Sequence, residues 1–221
     1  MRRSKELGVG LTTLVFRFCQ WLNPDCLEYR GGLAFPCSQQ RCSQAWPIGS
    51  APRVAHWRTE LAKAPPGRKV GLLWKSMKLD ATRARYYSPF ELWTPVLTTP
   101  GMTFVNIQYG DCAPEIAWAE QTLGVALWTP PGIDLKDDLD DIAALTSALD
   151  LTIGFANATS NIAAAVGAPT WMISAPGAWT RVGTDRMPWY PQVRVFAPSS
   201  FGRWAETMSE VAEALAERFA D

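Results

Sequence analysis

Asn157, Thr159, Ser160 and Asn161 crowd one point in DLTIGFANATSNIAAAVGAPTWMI, residues 150–173. There an apolar, β-branched stretch (151–155) gives way to an alanine-rich helical pattern. A helix start leaves backbone N–H groups unpaired and carries the positive end of the dipole, so it takes anions readily. Thr159, Ser160 and Asn161 could add hydroxyl and amide donors to phosphate oxygens. Yet one or two such residues cap a helix, and Asn157 or Thr159 alone would serve. Spacing leaves capping and anion binding equally open. The run is not the G-x-G-x-x-G fingerprint, which gives a nicotinamide dehydrogenase little support.

A second group is cationic. KSMKLDATRARYY (75–87) holds Lys75, Lys78, Arg83 and Arg85 directly after an apolar run. Four cations suit a diphosphate, and Arg can bind it through two parallel hydrogen bonds. A solvated surface loop would look the same. A third group, PGAWTRVGTDRMPWYP (176–191), is a long loop with Trp179, Arg181, Asp185, Arg186, Trp189 and Tyr190. Its aromatic rings could stack on a base or a sugar, although Trp189 and Tyr190 read better as pins that hold the loop to the core.

Other chemistry finds less support. Asp138-Leu139-Asp140 imitates the D-x-D of metal-dependent sugar transferases, but it opens a helix, where residues two apart do not share a face. Its carboxylates read as partners of the helix dipole, and no metal is expected. His56 is the only histidine, and the residues around it read as a surface helix. No nucleophile elbow accompanies it, which argues against hydrolases of the Ser/His/Asp or Cys/His type.

The elements that must position these residues alternate from about Pro66 onward. Apolar runs at 68–74, 102–110, 125–129, 151–155, 170–174 and 193–197 read as buried strands. Helical patterns lie between them at 88–97, 113–124, 137–150 and 158–166, preceded by one at 53–64. The last spans 201–219, with Phe201, Trp204, Ala205, Met208, Val211, Ala212, Leu215 and Phe219 on one stripe. Strands apolar throughout, alternating with helices, predict a Rossmann-like three-layer sandwich with a mainly parallel sheet. Ligands in such sheets bind outside the carboxyl ends of the strands. The candidate residues therefore fall in the loops at 75–87, 110–112, 130–136, 156–161 and 175–192.

Composition agrees with a soluble α/β protein. Formal charges cancel over 221 residues, and no basic block invites nucleic acid. Residues 1–52 do not join the pattern. Four of the five cysteines, Cys19, Cys26, Cys37 and Cys42, lie there, with spacings that match no zinc site. Met1–Lys5 is basic and 7–16 apolar, but Glu6 and Arg17 bracket the run, no A-x-A-like site follows, and it is too short to span a membrane. The expectation is a cytoplasmic chain in two parts: a poorly patterned 1–52, ascribed to truncation, a wrong start or a frameshift, and a nucleotide-sugar-binding domain over 53–221.

VGLLWKS, FVNIQYGD, DLKDDLDDIAALTSALDLTIGFANATSNIAAAVGAPTWMI and DRMPWYP together resemble the C-terminal half of bacterial GT-B glycosyltransferases. The similarity is to the heptosyltransferase-like group (glycosyltransferase family 9-like), whose members are often fused behind tetratricopeptide repeats. The resemblance implies one half of a GT-B fold that holds a nucleoside diphosphate sugar, transfers the sugar to an unidentified acceptor and needs no metal. It implies donor-phosphate contacts from Lys75, Ser76, Thr159, Ser160 and Asn161, to which the cationic loop adds Arg83 and Arg85 as candidates. Tyr109, Asp134, Leu139, Asn157, Trp179 and Arg181 would lie near the nucleoside or sugar. Heptosyltransferases show Asp-x-Gly-x-x-His where this chain has Asn157-Ala158-Thr159-Ser160-Asn161, so amides replace a carboxylate and an imidazole. The catalytic base is expected in an N-terminal acceptor domain. Two other readings stand beside this one: a non-catalytic, degenerate half that associates through the surface left by that domain, here expected on the terminal helix, and another nucleotide-sugar binder such as an epimerase.

Overall fold

The computed structural model describes residues 50–77 and 80–220. The expectations for the N-terminal segment, apart from its last residues, and for Lys78 lie outside them. In chain order come α1 (Ala51–Leu61), β1 (Arg68–Leu73), the single turn α2 (Ala81–Ala84) and a 3-10 turn (Phe90–Trp93) running into α3 (Thr94–Leu97). Then follow β2 (Met102–Asn106), α4 (Ala113–Trp118) widening into a π turn (Ala119–Leu123), α5 (Leu139–Ala148) and β3 (Leu151–Phe155). The chain continues with α6 (Ala158–Ala165), β4 (Thr170–Ile173), a 3-10 turn (Trp179–Arg181), β5 (Arg194–Phe196) and α7 (Trp204–Arg218).

The five strands are all parallel, in the order β2-β1-β3-β4-β5. Trp128 adds one parallel bridge to Val105 outside β2. With that bridge counted as an edge strand, the order across the sheet is 3-2-1-4-5-6, that of dinucleotide-binding folds. The progression of strand order reverses between β1 and β3, whose register pairs Leu73 with Gly154.

Both faces of the sheet are covered, which is why its strands read as unbroken apolar runs. On one face Val70, Leu72, Leu151, Ile153, Phe155, Trp171 and Phe196 pack against the 90–97 segment and α7. On the other, Leu73, Val105 and Ile107 meet Trp57 and Leu61 of α1 and Ala144 and Leu145 of α5. Met172 meets Ala164 of α6 and Met187. This is the expected three-layer sandwich.

Three elements depart from the sequence reading, each for a local reason. The strand expected at 125–129 shrinks to Trp128, whose N–H donates to Phe104 while its carbonyl accepts from Asn106. Val125 spends its N–H on Ala119, and Pro130 and Pro131 have none to give. The helix expected at 88–97 begins as a 3-10 turn because Pro95 cannot bond the carbonyl of Glu91. That carbonyl takes the N–H and the hydroxyl of Thr94 instead. Ser88 does not cap it, since its hydroxyl donates to the carbonyl of Pro89. At the chain's end α7 starts at Trp204, so Phe201 lies in the preceding turn and stays exposed, and Thr207 and Ala214 join Trp204, Met208, Val211 and Leu215 in the buried face. That face is covered by the sheet, which removes the terminal helix as an exposed association surface. Among the described residues no helix is long and apolar enough to cross a membrane.

Candidate functional site

Where β1 and β2 end, side chains take over from the strand ladder. The N–H of Ile107 still donates to the carbonyl of Leu72. One residue further, the buried Gln108 turns its side chain across, and Oε1 accepts from the N–H groups of Trp74 at 3.0 Å and Lys75 at 2.9 Å. The Gln108 amide nitrogen donates to the carbonyl of Tyr109, and its own N–H goes to Oδ1 of Asn106. This network fixes the chain as it leaves β1. Lys75 then points to helix α4, where Nζ meets Oε1 of Glu115 at 2.5 Å. Both side chains are mostly buried, at 17% and 22% exposure. Among the described residues, Oε2 of Glu115 is buried without a hydrogen-bond partner.

Ser76 bonds the hydroxyl of Tyr109. Burial, with the nearby Tyr87, raises the Tyr109 phenol above its ordinary value, and the Ser76 bond offsets part of that. Cys112, which precedes α4, is buried, and burial pushes its thiol up against the opposing pull of Asn106 and Lys75. It is held as a thiol, unlike a poised nucleophile.

Beside this lies the start of α6. Asn157 is the N-cap, and its side chain accepts from the N–H of Ser160 at 3.3 Å. The hydroxyl of Ser160, fully buried, donates to the carbonyl of Phe155. The amide of Asn161 donates to the carbonyl of Asn157 at 2.6 Å. Thr159 is buried too. Most of the polar groups that crowd this turn therefore build it, and among the described residues Nδ2 of Asn157 is the one buried there without a partner. Gly154 lets the turn close on β1. A Cβ there would lie 2.8 Å from Leu73 Cβ and 3.0 Å from Ser160 Oγ.

The fold thus sets Lys75 and Ser76 at the end of β1 and the Asn157–Asn161 turn at the end of β3, on adjacent strands flanking the reversal of strand order. It does not bring the two arginines there in the same way. The N–H of Arg83 bonds Oδ1 of Asp80, and its guanidinium approaches the same carboxylate at 3.9 Å. Arg85 donates to the hydroxyl of Tyr86 and lies over the rings of Tyr86 and Phe201.

The remaining candidates occupy other loops of the same sheet edge. Asp134 accepts from the N–H groups of Lys136 and Asp137 and so shapes the turn before α5. These bonds hold its carboxyl below the ordinary range. Leu139, first in α5, is exposed. The guanidinium of Arg53 reaches the acidic start of α5, at 3.0 Å from Asp141, 3.6 Å from Asp138 and 4.0 Å from Asp140. After β4, Trp179 is 78% exposed. Arg181 donates from Nε to the carbonyl of Thr184, and the two residues line a small open hollow with Trp179. Trp189 donates to the carbonyl of Thr180 and, like Tyr190, packs on the Met172 and Met187 cluster, which pins the loop.

Sequence reasoning passed over Gln108, Glu115 and Gly154. Gln108 carried a signal, as the second of two amides, with Asn106, near the end of an apolar run. Glu115 carried none, because an acid in the first turn of a helix is common.

Comparison with known proteins places this geometry in context. The fold is shared with E. coli heptosyltransferase WaaC with ADP at a TM-score of 0.50 and 18% identity, over 74% of this chain and 48% of that one. E. coli ADP-heptose lps heptosyltransferase II matches with a TM-score of 0.52 and 14% identity, over 87% of this chain and 57% of the other. At these identities the likeness speaks to fold: an α/β, Rossmann-like unit found in glycosyltransferases, spanning about half of each. Protein FlbA of Caulobacter vibrioides (strain ATCC 19089 / CIP 103742 / CB 15) is 53% identical over 209 residues, covering 91% of this chain and 35% of FlbA. The chain thus spans about a third of that relative. Residues 53–221 are only about three quarters of the sequence, so the alignment extends into the segment before Arg53. No family model matches.

Proposed function

We propose that this chain is a donor-binding unit of a glycosyltransferase, holding a nucleoside diphosphate sugar for transfer to an acceptor. The observation that carries this reading is the pairing of Lys75 at the end of β1 with the start of α6 at the end of β3. They flank the reversal of strand order, where α/β sheets of this type take their ligands. Helix N–H groups and the Lys75 ammonium would stabilise charge on the departing diphosphate, with no metal required. Trp179 and Arg181 in the loop after β4, and Tyr109 after β2, are the side chains assigned to the nucleoside or sugar. The general base belongs to another part of the enzyme.

A second reading, a half that has lost catalysis and serves as a binding module, draws on one feature: Oδ1 of Asn157, the hydroxyl of Ser160 and the amide of Asn161 are already engaged in holding the turn. Calorimetric titration of ADP, GDP and UDP into the chain, its Lys75→Ala variant and its Arg83→Ala variant tests both. Binding that Lys75→Ala weakens supports the donor site. Absence of binding by every nucleotide overturns it in favour of the second reading.

A further inference from the structure

We infer that Glu115 sets the anion affinity of this site by competing with the donor diphosphate for Lys75. The inference rests on the donor-binding reading. Lys75 is the cation at the end of β1, and its ammonium already has a carboxylate partner at 2.5 Å. A phosphate arriving beside it therefore meets the field of a neutral pair, which falls off faster with distance than that of a lone cation. An ammonium has three donors, so Lys75 can reach a phosphate only by dividing its hydrogen bonds or by leaving Glu115.

Among the described residues, neither arginine of the same loop relieves this competition. Arg83 is engaged by Asp80, and Arg85 stacks on Tyr86 and Phe201. The network around Gln108 fixes the backbone of Lys75 and leaves its side chain to choose between carboxylate and phosphate. Glu115 is itself poorly satisfied, since Oε2 is buried without a partner. Burying a carboxylate oxygen unpaired is unfavourable for the fold, so the pair is a weak argument for stability and a better one for tuning. A carboxylate in this position keeps a diphosphate from binding so tightly that it cannot leave after transfer.

The test is calorimetric titration of the full 221-residue chain with ADP, GDP and UDP and with the matching uncharged nucleosides. Glu115→Gln keeps the volume and removes the charge, and should bind the diphosphate about fivefold tighter, the size of effect of a partly exposed ion pair. Nucleoside affinity should not change. Adding Lys75→Met to Glu115→Gln should abolish the gain. Equal or weaker diphosphate binding by a folded Glu115→Gln overturns the inference while leaving the donor site intact. So does an equal gain for nucleosides, which marks a merely structural role. If Glu115→Gln does not fold, Glu115→Ala, which also removes the charge and keeps a good helix former in α4, takes its place with the same expectations. If neither the wild type nor the variants bind any diphosphate, the donor-binding reading itself falls.

Discussion

The hydroxyl of Ser160 donates to the carbonyl of Phe155 at 2.8 Å, closing the turn between β3 and α6 from inside the protein. A side chain that the sequence offers as a phosphate ligand is thus occupied in holding the helix start against the strand it came from. Under the proposed reading, anion binding at this terminus falls to the backbone and dipole of α6.

Ser160→Ala removes the only side chain donating to that carbonyl among the described hydrogen bonds and leaves it buried. The expected loss is about 1–3 kcal/mol, the penalty for an unsatisfied buried polar group. Urea unfolding should show a lower midpoint with an unchanged slope.

Gly154→Ala tests the close approach of β3 to β1. Its new Cβ would lie 2.8 Å from Leu73 Cβ and 3.1 Å from the Leu73 carbonyl oxygen. Backbone cannot swing aside as a side-chain tip can, so the expected cost is about 1–3 kcal/mol from overpacking. Thermal unfolding measures it, and nucleotide titration should weaken alongside as the ends of β1 and β3 part.

Gln108→Leu deprives the N–H groups of Trp74 and Lys75 of their shared acceptor. With two donors stranded at the end of a buried strand, a loss of about 2 kcal/mol or more follows. Hydrogen exchange should quicken at those two amides while the amides of β4 keep their protection.

Asp134 gives the pH dependence. Its carboxyl is held below the ordinary carboxylate range chiefly by the backbone N–H groups of Lys136 and Asp137. A depressed folded-state value means that the carboxylate contributes stability above the unfolded-state value, and that this is lost as pH falls through the folded-state one. Asp134→Asn should therefore lower Tm at pH 6, and the gap to wild type should close as pH drops below about 4. A gap constant down to pH 2.5 would contradict the assignment.

Much of the fold was legible in the sequence because its causes are local. Apolar runs marked all five strands within a few residues, and Asn157 announced the start of α6. The all-parallel sheet followed from strands apolar on both faces. Where the sequence misled, short-range competition decided. Pro95 turned a helix into a 3-10 turn, and Pro130 with Pro131 stopped an edge strand.

The candidate site divided along the same line. Its location at the carboxyl edge followed from alternation alone, and the types of Lys75, Ser76 and the Asn157–Asn161 turn named it. Which groups are free to act was decided only by tertiary structure. Glu115 lies 40 positions from Lys75 and Gln108 lies 33, and each reaches the end of β1 because parallel pairing sets β2 beside it. Hydrogen bonds and ion pairs depend on distances of a few ångströms, which sequence spacing fixes within a helix or a turn but not between strands. The sequence determined which side chains stand at this edge for a proposed phosphate site. The packing of β1 between β2 and β3 decided that its lysine would meet a carboxylate there.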